Sequence, residues 1–259
     1  MKDLAGKVVL VTGGGSGIGR AIALGFAAEK SRVIITGRTK TKLDSVVDEI
    51  SRSGSEAFTQ TCDVTQRSQL ERLNQEISNR FGGVQILVNS AAIAPAAGFL
   101  EMEDELWEQV LRINLNGTYN CCKTFLPGML AANFGRIINI ASTVSKVAYS
   151  HISAYVTSKH AVLGLTRSLA IETARFGVTV NAICPGYVDT GLTKQNALLM
   201  AEKRSLTAED ALRHFAATSP QKRLIEAEEV ANLALMLASD AAKGITGQAV
   251  NVDGGAVMS

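Results

Sequence analysis

The stretch Val8-Val-Leu-Val-Thr-Gly-Gly-Gly-Ser-Gly-Ile-Gly19 decides the fold predicted for this chain of 259 residues. Its apolar half has the composition of a buried strand, and a helix-forming stretch begins directly after it at Arg20. Glycines at such a junction let the backbone turn tightly and approach a pyrophosphate group, whose charge is favoured at a helix N-terminus. The spacing is Gly-x-x-x-Gly-x-Gly rather than Gly-x-Gly-x-x-Gly. We therefore predict a dinucleotide site formed by Gly13, Gly15, Ser16, Gly17, Ile18 and Gly19.

Six further strand-like runs follow, each separated from the next by a segment of helical length. With Lys7–Thr12, they are Arg32–Thr36, Ala57–Cys62, Gln85–Asn89, Arg136–Ala141, Val178–Cys184 and Gln248–Val252. Strands joined through helices form right-handed crossovers and a parallel sheet. The chain carries no linker, repeat or low-complexity tract. We predict one α/β domain over residues 1–259, a doubly wound Rossmann-type fold with a seven-stranded parallel sheet and helices on both faces.

One connection is longer than the others. Gly191 to Arg223 separate the sixth strand from a helix that begins near Glu226, and they are rich in Ala, Leu, Met and Lys. Connections above about 15 residues are uncommon and often form lids. We predict a helical substrate lid at about 191–223; the alternative is a passive surface excursion.

Charge and hydropathy exclude several classes of function. A net charge of +2, scattered along the chain, argues against nucleic acid or an anionic membrane as the main partner. No apolar run approaches roughly 20 residues, and the first residues do not resemble a signal peptide, so we expect a cytoplasmic protein. The four cysteines form no Cys-x-x-Cys element and the three histidines have no ligand spacing. We expect reduced thiols and no metal site.

The end of the second predicted strand bears on the choice of cofactor. An acidic residue there would hydrogen-bond the ribose 2′-hydroxyl of NAD, whereas an arginine accommodates the 2′-phosphate of NADP. The chain reads Thr36-Gly-Arg-Thr-Lys40, and Arg38 can contact a phosphate with two N–H groups. We predict NADP(H); alternatively, Arg38 merely opens a solvated helix. Asp63, after the third strand, is placed either to hydrogen-bond the adenine amino group or to cap the next helix.

A second group of polar residues follows the fifth predicted strand. Ser142 ends that run, and Tyr155 and Lys159 stand four apart in Tyr-Val-Thr-Ser-Lys. A helix places residues i and i+4 on one face, so the Lys159 ammonium would lie beside the Tyr155 phenol. We expect it to favour the ionised phenol and to lower a pKa that starts near about 10. The trio outlines a carbonyl reductase site, although Tyr-x-x-x-Lys alone also describes an ordinary helix face.

These motifs together resemble the short-chain dehydrogenase/reductase family over nearly the whole chain. The matching elements are Thr12-Gly-x-x-x-Gly-x-Gly19, Asp63, Asn114, Ser142, Tyr155-x-x-x-Lys159 and Pro185-Gly-x-x-x-Thr190. The resemblance implies hydride transfer between nicotinamide and a carbonyl or alcohol carbon. It implies that Ser142 orients the substrate oxygen, that Tyr155 acts as acid and base, and that Lys159 binds the nicotinamide ribose. Asn114 would hold a water that links Lys159 to solvent.

The resemblance also implies cofactor contacts at the ends of later strands. The family's Asn-Asn-Ala-Gly after the fourth strand reads Asn89-Ser-Ala-Ala92 here. We expect the backbone path to survive, with Asn89 and Ala91 touching the cofactor. The other contacts expected in these regions are Val64, Pro185, Gly186, Val188 and Thr190.

Two subgroups of the family are similar to this chain. The 3-hydroxybutyrate dehydrogenases hold a carboxylate with a histidine and a lysine at positions that are Val144 and Ile152 here, which argues against so small an acid. The polyketide ketoreductases and 3-oxoacyl-carrier-protein reductases resemble it more in Ser142-Thr-x-x-Lys146 and in His151, four before Tyr155. Their basic phosphopantetheine positions are Thr65 and Ile93 here, and Ala94-Pro-Ala96 replaces their Pro-Gly-Gly.

Apolar residues near these motifs suggest a pocket for a medium-sized ketone or acyl chain. They are Val144, Tyr149, Ile152, Tyr187 and Leu192, with the run Leu198-Leu-Met200 on the lid. We predict an NADP(H)-dependent reductase of a ketone, with a β-ketoacyl compound as one candidate. An oxidative alcohol, sugar or steroid dehydrogenase and a non-catalytic NADP(H) sensor remain alternatives.

Two long helical segments predict assembly. Leu106–Ala132 and Ala154–Phe176 alternate apolar and small residues, so one face of each should stay exposed after packing on a single sheet. The tail Ile245–Gly255 resembles the family's terminal strand, which packs against a partner subunit. We expect a homo-oligomer, a tetramer by preference, with a well-covered monomer as the alternative.

Overall fold

Seven parallel strands form one sheet in the order β3-β2-β1-β4-β5-β6-β7. The structure is a computed structural model and describes residues 2–258, the side chain of residue 2 excepted. The strands are β1 (Val8–Thr12), β2 (Arg32–Gly37), β3 (Ala57–Thr61), β4 (Ile86–Asn89), β5 (Gly135–Ile140), β6 (Val178–Pro185) and β7 (Ala249–Val252). The predicted fold is confirmed, and each observed strand end lies within one residue of its predicted position.

Nine α-helices lie within the described residues. They are α1 (Gly17–Ala28), α2 (Lys40–Arg52), α3 (Arg67–Phe81), α4 (Asp104–Leu111), α5 (Gly117–Ala131), α6 (Ser153–Thr173), α7 (Gly191–Arg204), α8 (Ala208–Ala217) and α9 (Ala227–Ala238). Arg112–Asn116 is a π-helical segment that joins α4 to α5 without a break. Short 3-10 turns cover Lys2–Leu4, Phe99–Glu101, Thr143–Ser145, Ala174–Phe176 and Asp240–Ala242.

Each face of the sheet carries its own apolar core. On one face, α1, α2 and α9 bury aliphatic side chains and Phe26 against β1, β2 and β4. On the other face, α3 and α5 bury Leu70, Leu73 and Phe125 against the same strands and β5. Parallel strands covered on both faces are largely apolar, which explains the hydrophobic runs at residues 8–11 in β1 and 86–88 in β4.

The direction of chain progression reverses between β1 and β4. From β1 the chain moves outward to β2 and β3, then crosses back to β4 on the other side of β1. In open α/β sheets, such a switch leaves a crevice outside the carboxyl ends of the strands, where ligands bind. The Thr12 hydroxyl accepts hydrogen bonds from Ser90 N (3.1 Å) and Ala91 N (3.3 Å), which fixes the loop after β4 at that crevice.

The long connection after β6 is helical, as predicted. Helices α7 and α8 pack on each other through a small core of Ala197, Ala201, Ala211 and Phe215. Thr190 begins α7 by accepting a hydrogen bond from Thr193 N (3.4 Å), and Thr207 and Asp210 form a capping box at α8. The segment 191–223 therefore has internal structure of its own; its function as a lid stays a prediction.

Two further expectations concern cysteines and membranes. All four cysteines are free and buried. Burial raises the pKa of Cys62 to about 11 and that of Cys122 to about 12, so these thiols are protonated and unreactive at neutral pH. Within residues 2–258, no helix has the length and apolar character needed to cross a bilayer.

Candidate active site

A single cleft of about 1320 Å³ runs along the carboxyl ends of the strands. It extends from the glycine-rich turn after β1, past the ends of β4 and β5, to α7 and α8. All the predicted site residues line this cleft except Asn89 and Asn114. Residues far apart in sequence thus lie on one continuous surface, while their individual roles stay predictions.

The glycine-rich turn is open because side chains would not fit there. Gly13 has φ +67°, and a Cβ there would lie 2.9 Å from Ala91 Cα. A Cβ on Gly19 would collide with the Gly13 carbonyl. Ser16 does not cap α1 with its side chain, and the first-turn N–H groups of a helix have no acceptor within it. This arrangement offers backbone donors to a phosphate.

Two basic side chains approach the turn from β2 and α2. Arg38 is exposed in the cleft and makes no hydrogen bond or ion pair with any other residue between 2 and 258. Lys40 instead pairs with Asp44 (2.7 Å). Lys42, which sequence reasoning missed, lies beside Gly15 and lines the cleft. Which lysine faces the turn depends on the residue at which α2 begins, and the sequence alone did not predict that residue.

Asp63 does not cap α3, whose N-cap is Gln66, so that alternative is wrong, and the adenine contact of Asp63 stays a prediction. Its Oδ1 accepts a hydrogen bond from Thr65 N (2.9 Å), and its own N–H donates to Gln69 Oε1 (2.9 Å), so it organises the start of α3. It also lines the cleft. The neighbouring Val64 is buried, and a Cβ on Gly117 would lie 2.6 Å from it, so α5 packs closely beneath this wall.

Ser142, Tyr155 and Lys159 meet at the bottom of the cleft. Ser142 follows β5 with an extended backbone. Its hydroxyl accepts a hydrogen bond from Val144 N (3.3 Å) and lies close enough to the Tyr155 phenol to lower that group's pKa. Lys159 Nζ donates to the Ile140 carbonyl (2.7 Å) and lies 5.7 Å from the centre of the Tyr155 ring. Helix α6 holds Tyr155 and Lys159 one turn apart, as predicted.

The expected low pKa of Tyr155 is corrected by the structure. Burial raises the pKa of Tyr155 to about 12, and the opposing Ser142 hydrogen bond only partly offsets this. The Lys159 ammonium donates to a backbone carbonyl rather than to the phenol. Tyr155 is therefore protonated at neutral pH, in the form that donates a proton.

Lys159 is the more readily titrated member of the pair. It is 3% exposed, and burial lowers its pKa to about 8. A buried ammonium with one carbonyl acceptor loses most of its hydration, which disfavours the charged form. Its protonation therefore changes close to neutral pH.

Asn114 lies behind the site, in the π-helical segment. Its amide forms a complete pair with the backbone of Ile93, accepting Ile93 N (2.9 Å) and donating to Ile93 O (2.9 Å). Its Nδ2 also donates to Ser158 Oγ (3.1 Å). The side chain thus fixes the loop after β4 against α6. The water-holding role stays a prediction, and the Asn114 side chain has little remaining capacity for it.

Asn89 departs from the prediction of a cofactor contact. It is buried outside the cleft lining, and its Nδ2 donates to Asn139 Oδ1 (2.8 Å) on the neighbouring strand. Asn139 in turn donates to Thr166 Oγ1 (2.9 Å) on α6. Strand alternation explains the difference, because Asn89 points to the α6 face of the sheet. Ala91, two residues later, does line the cleft.

The apolar pocket predicted for the substrate faces Tyr155. Val144 is buried, Tyr149 and Leu192 are 44% and 43% exposed, and Ile152 is half-buried. Tyr187 stacks on Phe215, with ring centres 4.3 Å apart and planes 6° apart. Phe215 and His214 also line the cleft and were not foreseen. Their contribution follows from the docking of α8, which the sequence of α8 alone does not reveal.

Comparisons with known proteins agree with this geometry. The family model described as enoyl-(acyl carrier protein) reductase matches residues 13–257. The chain is similar to a D-beta-hydroxybutyrate dehydrogenase of Cupriavidus necator (37% identity, 97% of this chain, 98% of the relative). A 3-oxoacyl-(acyl-carrier-protein) reductase of Staphylococcus epidermidis is 37% identical over 97% of this chain and 99% of its own.

A solved structure extends the likeness to three dimensions. A variant of actinorhodin polyketide ketoreductase with NADPH superimposes with a TM-score of 0.94 at 37% identity, covering 99% of each chain. The fold and cleft define a dinucleotide-binding oxidoreductase of the doubly wound class. The chain belongs to the short-chain dehydrogenase/reductase family.

The position of the Lys159 pKa predicts a pH dependence of stability. The folded value of about 8 lies below the ordinary 10.5, so the unfolded chain binds more protons in that window. The free energy of unfolding should then rise with pH, by about 2 kcal/mol between roughly pH 8 and pH 9.5. Urea titrations of wild type and Lys159→Met over this range measure the difference, because the shared cysteine and tyrosine contributions cancel. Parallel curves for the two proteins would contradict the lowered pKa.

Proposed function

We propose that the protein is an NADP(H)-dependent oxidoreductase that transfers a hydride between the nicotinamide and a ketone or secondary alcohol. The observation that carries the proposal is the contact of Ser142 with Tyr155 beside a buried Lys159, in the same cleft as the glycine-rich turn. A phenol hydrogen-bonded at the base of an apolar pocket is placed to exchange a proton with a carbonyl oxygen. Membership of the family supports the same chemistry.

The residues of the cleft fit a dinucleotide with a 2′-phosphate. The glycine-rich turn leaves room for a pyrophosphate, and Arg38, which has no partner among the described residues, extends from the end of β2 where no carboxylate would repel a phosphate. Lys42 adds a second cation at this end of the cleft. The cofactor, when bound, supplies or accepts the hydride. The structural relative with NADPH supports this choice.

The chain's own residues account for the proton. Tyr155 is protonated at neutral pH because burial raises its pKa, so it can donate to a developing alkoxide. Ser142, beside the phenol, offers a second hydroxyl near the same point. Lys159, with a pKa of about 8, can restore the proton and favours negative charge on the phenolic oxygen when it is itself charged.

We propose a medium-sized ketone, with β-ketoacyl and polyketide-like compounds as the leading candidates. The pocket walls beside Ser142 are apolar, and Val144 and Ile152 supply no charge there for a small carboxylate. The same cleft is lined by the stacked rings of Tyr187 and Phe215, which can cover an acyl chain or ring. Relatives that carry ketoreductase names support this substrate class. The same residues serve the oxidative direction.

We also propose that the protein is a homotetramer that buries α5 and α6. Gly164 and Gly128 lie inside these helices on exposed faces, and a Cβ at either would meet nothing within this chain. A glycine inside a helix costs about 1 kcal/mol relative to alanine, so packing within the chain does not explain them. Close approach of a second copy does. The edge strand β7 is the second proposed contact.

Replacing Tyr155 by phenylalanine tests the catalytic proposal. We expect the Tyr155→Phe variant to lose roughly 100-fold or more in kcat, because the proton donor is removed, with NADPH affinity within about twofold of wild type. Steady-state reduction of S-acetoacetyl-N-acetylcysteamine and fluorescence titration of NADPH measure the two effects. Tyr119→Phe, at an exposed tyrosine outside the cleft, is the matched control and should keep its kcat. Unchanged turnover in Tyr155→Phe would remove Tyr155 from the mechanism, whereas a wild type without turnover would favour the sensor interpretation.

Replacing Arg38 by aspartate tests the cofactor proposal. The change removes a phosphate contact and adds a repelling charge, so we expect NADPH affinity to fall roughly 50-fold while NADH binding is spared. Lys243→Asp, outside the cleft, makes the same change of charge elsewhere and should leave both affinities alone. A wild type that already prefers NADH would refute the assignment to Arg38.

Replacing Gly164 by leucine tests the assembly. In a monomer the larger side chain has free space. The higher helix propensity of leucine should then raise the free energy of unfolding by about 1 kcal/mol. In the proposed tetramer it obstructs the partner helix, so the sedimenting species should become smaller and the Tm lower. Gln75→Leu, on the exposed face of α3, is the control. A monomeric wild type at micromolar concentration would exclude the tetramer.

A further inference from the structure

The segment 191–223, here called the lid segment, contacts the C-terminal turn near its own end. We define the C-terminal turn as residues 253–257. Ser219, two residues after α8, donates its hydroxyl hydrogen to the carbonyl of Gly254 (3.2 Å). The same hydroxyl accepts Gln221 N (3.2 Å), and Ser219 is 5% exposed. One buried serine therefore ties the lid segment to a part of the chain that follows β7.

The C-terminal turn is a rigid support for this contact. The Asp253 carboxylate, 6% exposed, accepts Gly255 N (2.9 Å) with one oxygen and Val257 N (2.9 Å) with the other. A Cβ on Gly186, at the end of β6, would lie 3.1 Å from Asp253 Cβ, so the turn abuts the strand. Asp253 and Ser219 both line the cleft.

The atoms around the contact between Ser219 and Gly254 are closely packed. Gly254 has φ +63°, and a Cβ there would collide with Ser219 Oγ and lie 3.2 Å from Gln221 Oε1. Its neighbour Gly255 has φ +86°, but a Cβ there would lie in ordinary contact, 3.6 Å from Pro220 Cγ. The two glycines share the left-handed backbone and differ in their clearance from Ser219.

The tether controls the position of the pocket wall. Phe215 lies near the end of α8, shortly before Ser219 in the chain, and stacks on Tyr187. A shift of Ser219 therefore moves Phe215 along the cleft wall. We propose that Ser219 is a positioning residue, which fixes α8 on the C-terminal turn and so sets the affinity of the substrate pocket. The placement of α8 stands on the contacts alone; its effect on a ketone rests on the proposed function.

Removing the hydroxyl measures the tether directly. In Ser219→Ala we expect trypsin to cut after Arg204, at the exposed α7–α8 junction, about fivefold faster, which corresponds to the loss of one hydrogen bond. Mass spectrometry identifies the cut. We also expect KM for S-acetoacetyl-N-acetylcysteamine to rise about fivefold with kcat within about twofold, because Tyr155 and Ser142 are untouched. A merely structural loss would lower kcat and thermal stability together.

The glycine pair supplies a matched control. Gly254→Ala should also show faster cleavage and a raised KM, because its methyl group displaces Ser219. Gly255→Ala introduces backbone strain without displacing Ser219, so it should behave like wild type. In the double variant Gly254→Ala/Ser219→Ala, the collision with the hydroxyl is gone, so the effects should be less than additive.

Two results would overturn the inference. One is wild-type cleavage and KM in Ser219→Ala, and the other is an equal effect of Gly254→Ala and Gly255→Ala. If wild type reduces no ketone, the proposed function fails, and the cleavage rates after Arg204 still decide whether the tether holds α8.

Discussion

The contact between the end of β1 and the loop after β4 is the constraint on which the rest of the site depends. The Thr12 hydroxyl accepts hydrogen bonds from two backbone N–H groups of that loop, and Gly13 approaches Ala91 so closely that no side chain fits between them. This contact joins β1 to the loop after β4 at the point where the chain's progression across the sheet reverses direction. The crevice above it then receives the glycine-rich turn on one side and the Ser142 and Tyr155 groups on the other.

Most of the fold could be predicted because local patterns and topology agree. Buried parallel strands such as β1 and β4 are apolar on both faces, so they appear in the sequence as short hydrophobic runs. The clustering of the glycine-rich turn, Arg38 and Tyr155 followed from the rule that ligands lie at the carboxyl ends of the strands. A cytoplasmic location, by contrast, stays a prediction from the sequence.

The features that the sequence did not predict depend on the direction in which a side chain points and on how far it is removed from water. Asn89 was placed near the cofactor by its position at a strand end, but side-chain alternation turns it into the core, where it binds Asn139. The direction of the Tyr155 pKa was wrong because spacing on a helix shows that Lys159 is near, and not that its ammonium bonds to Ile140. Lys42 and Phe215 depend on where a helix begins and how it docks.

The π-helical segment between α4 and α5 has a consequence for the evolution of the chain. A π turn holds one residue more than an α turn, so α5 is rotated by about 100° from the face that α4 would continue. That offset lets Asn114 point to Ile93 while Cys121 and Phe125 point to the sheet. Deletion of one residue here would restore a regular α-helix. Either Asn114 or the pair Cys121 and Phe125 would then be rotated away from its present contacts. We therefore expect a one-residue deletion to disrupt the site more when it falls within Arg112–Asn116 than when it falls in a neighbouring loop.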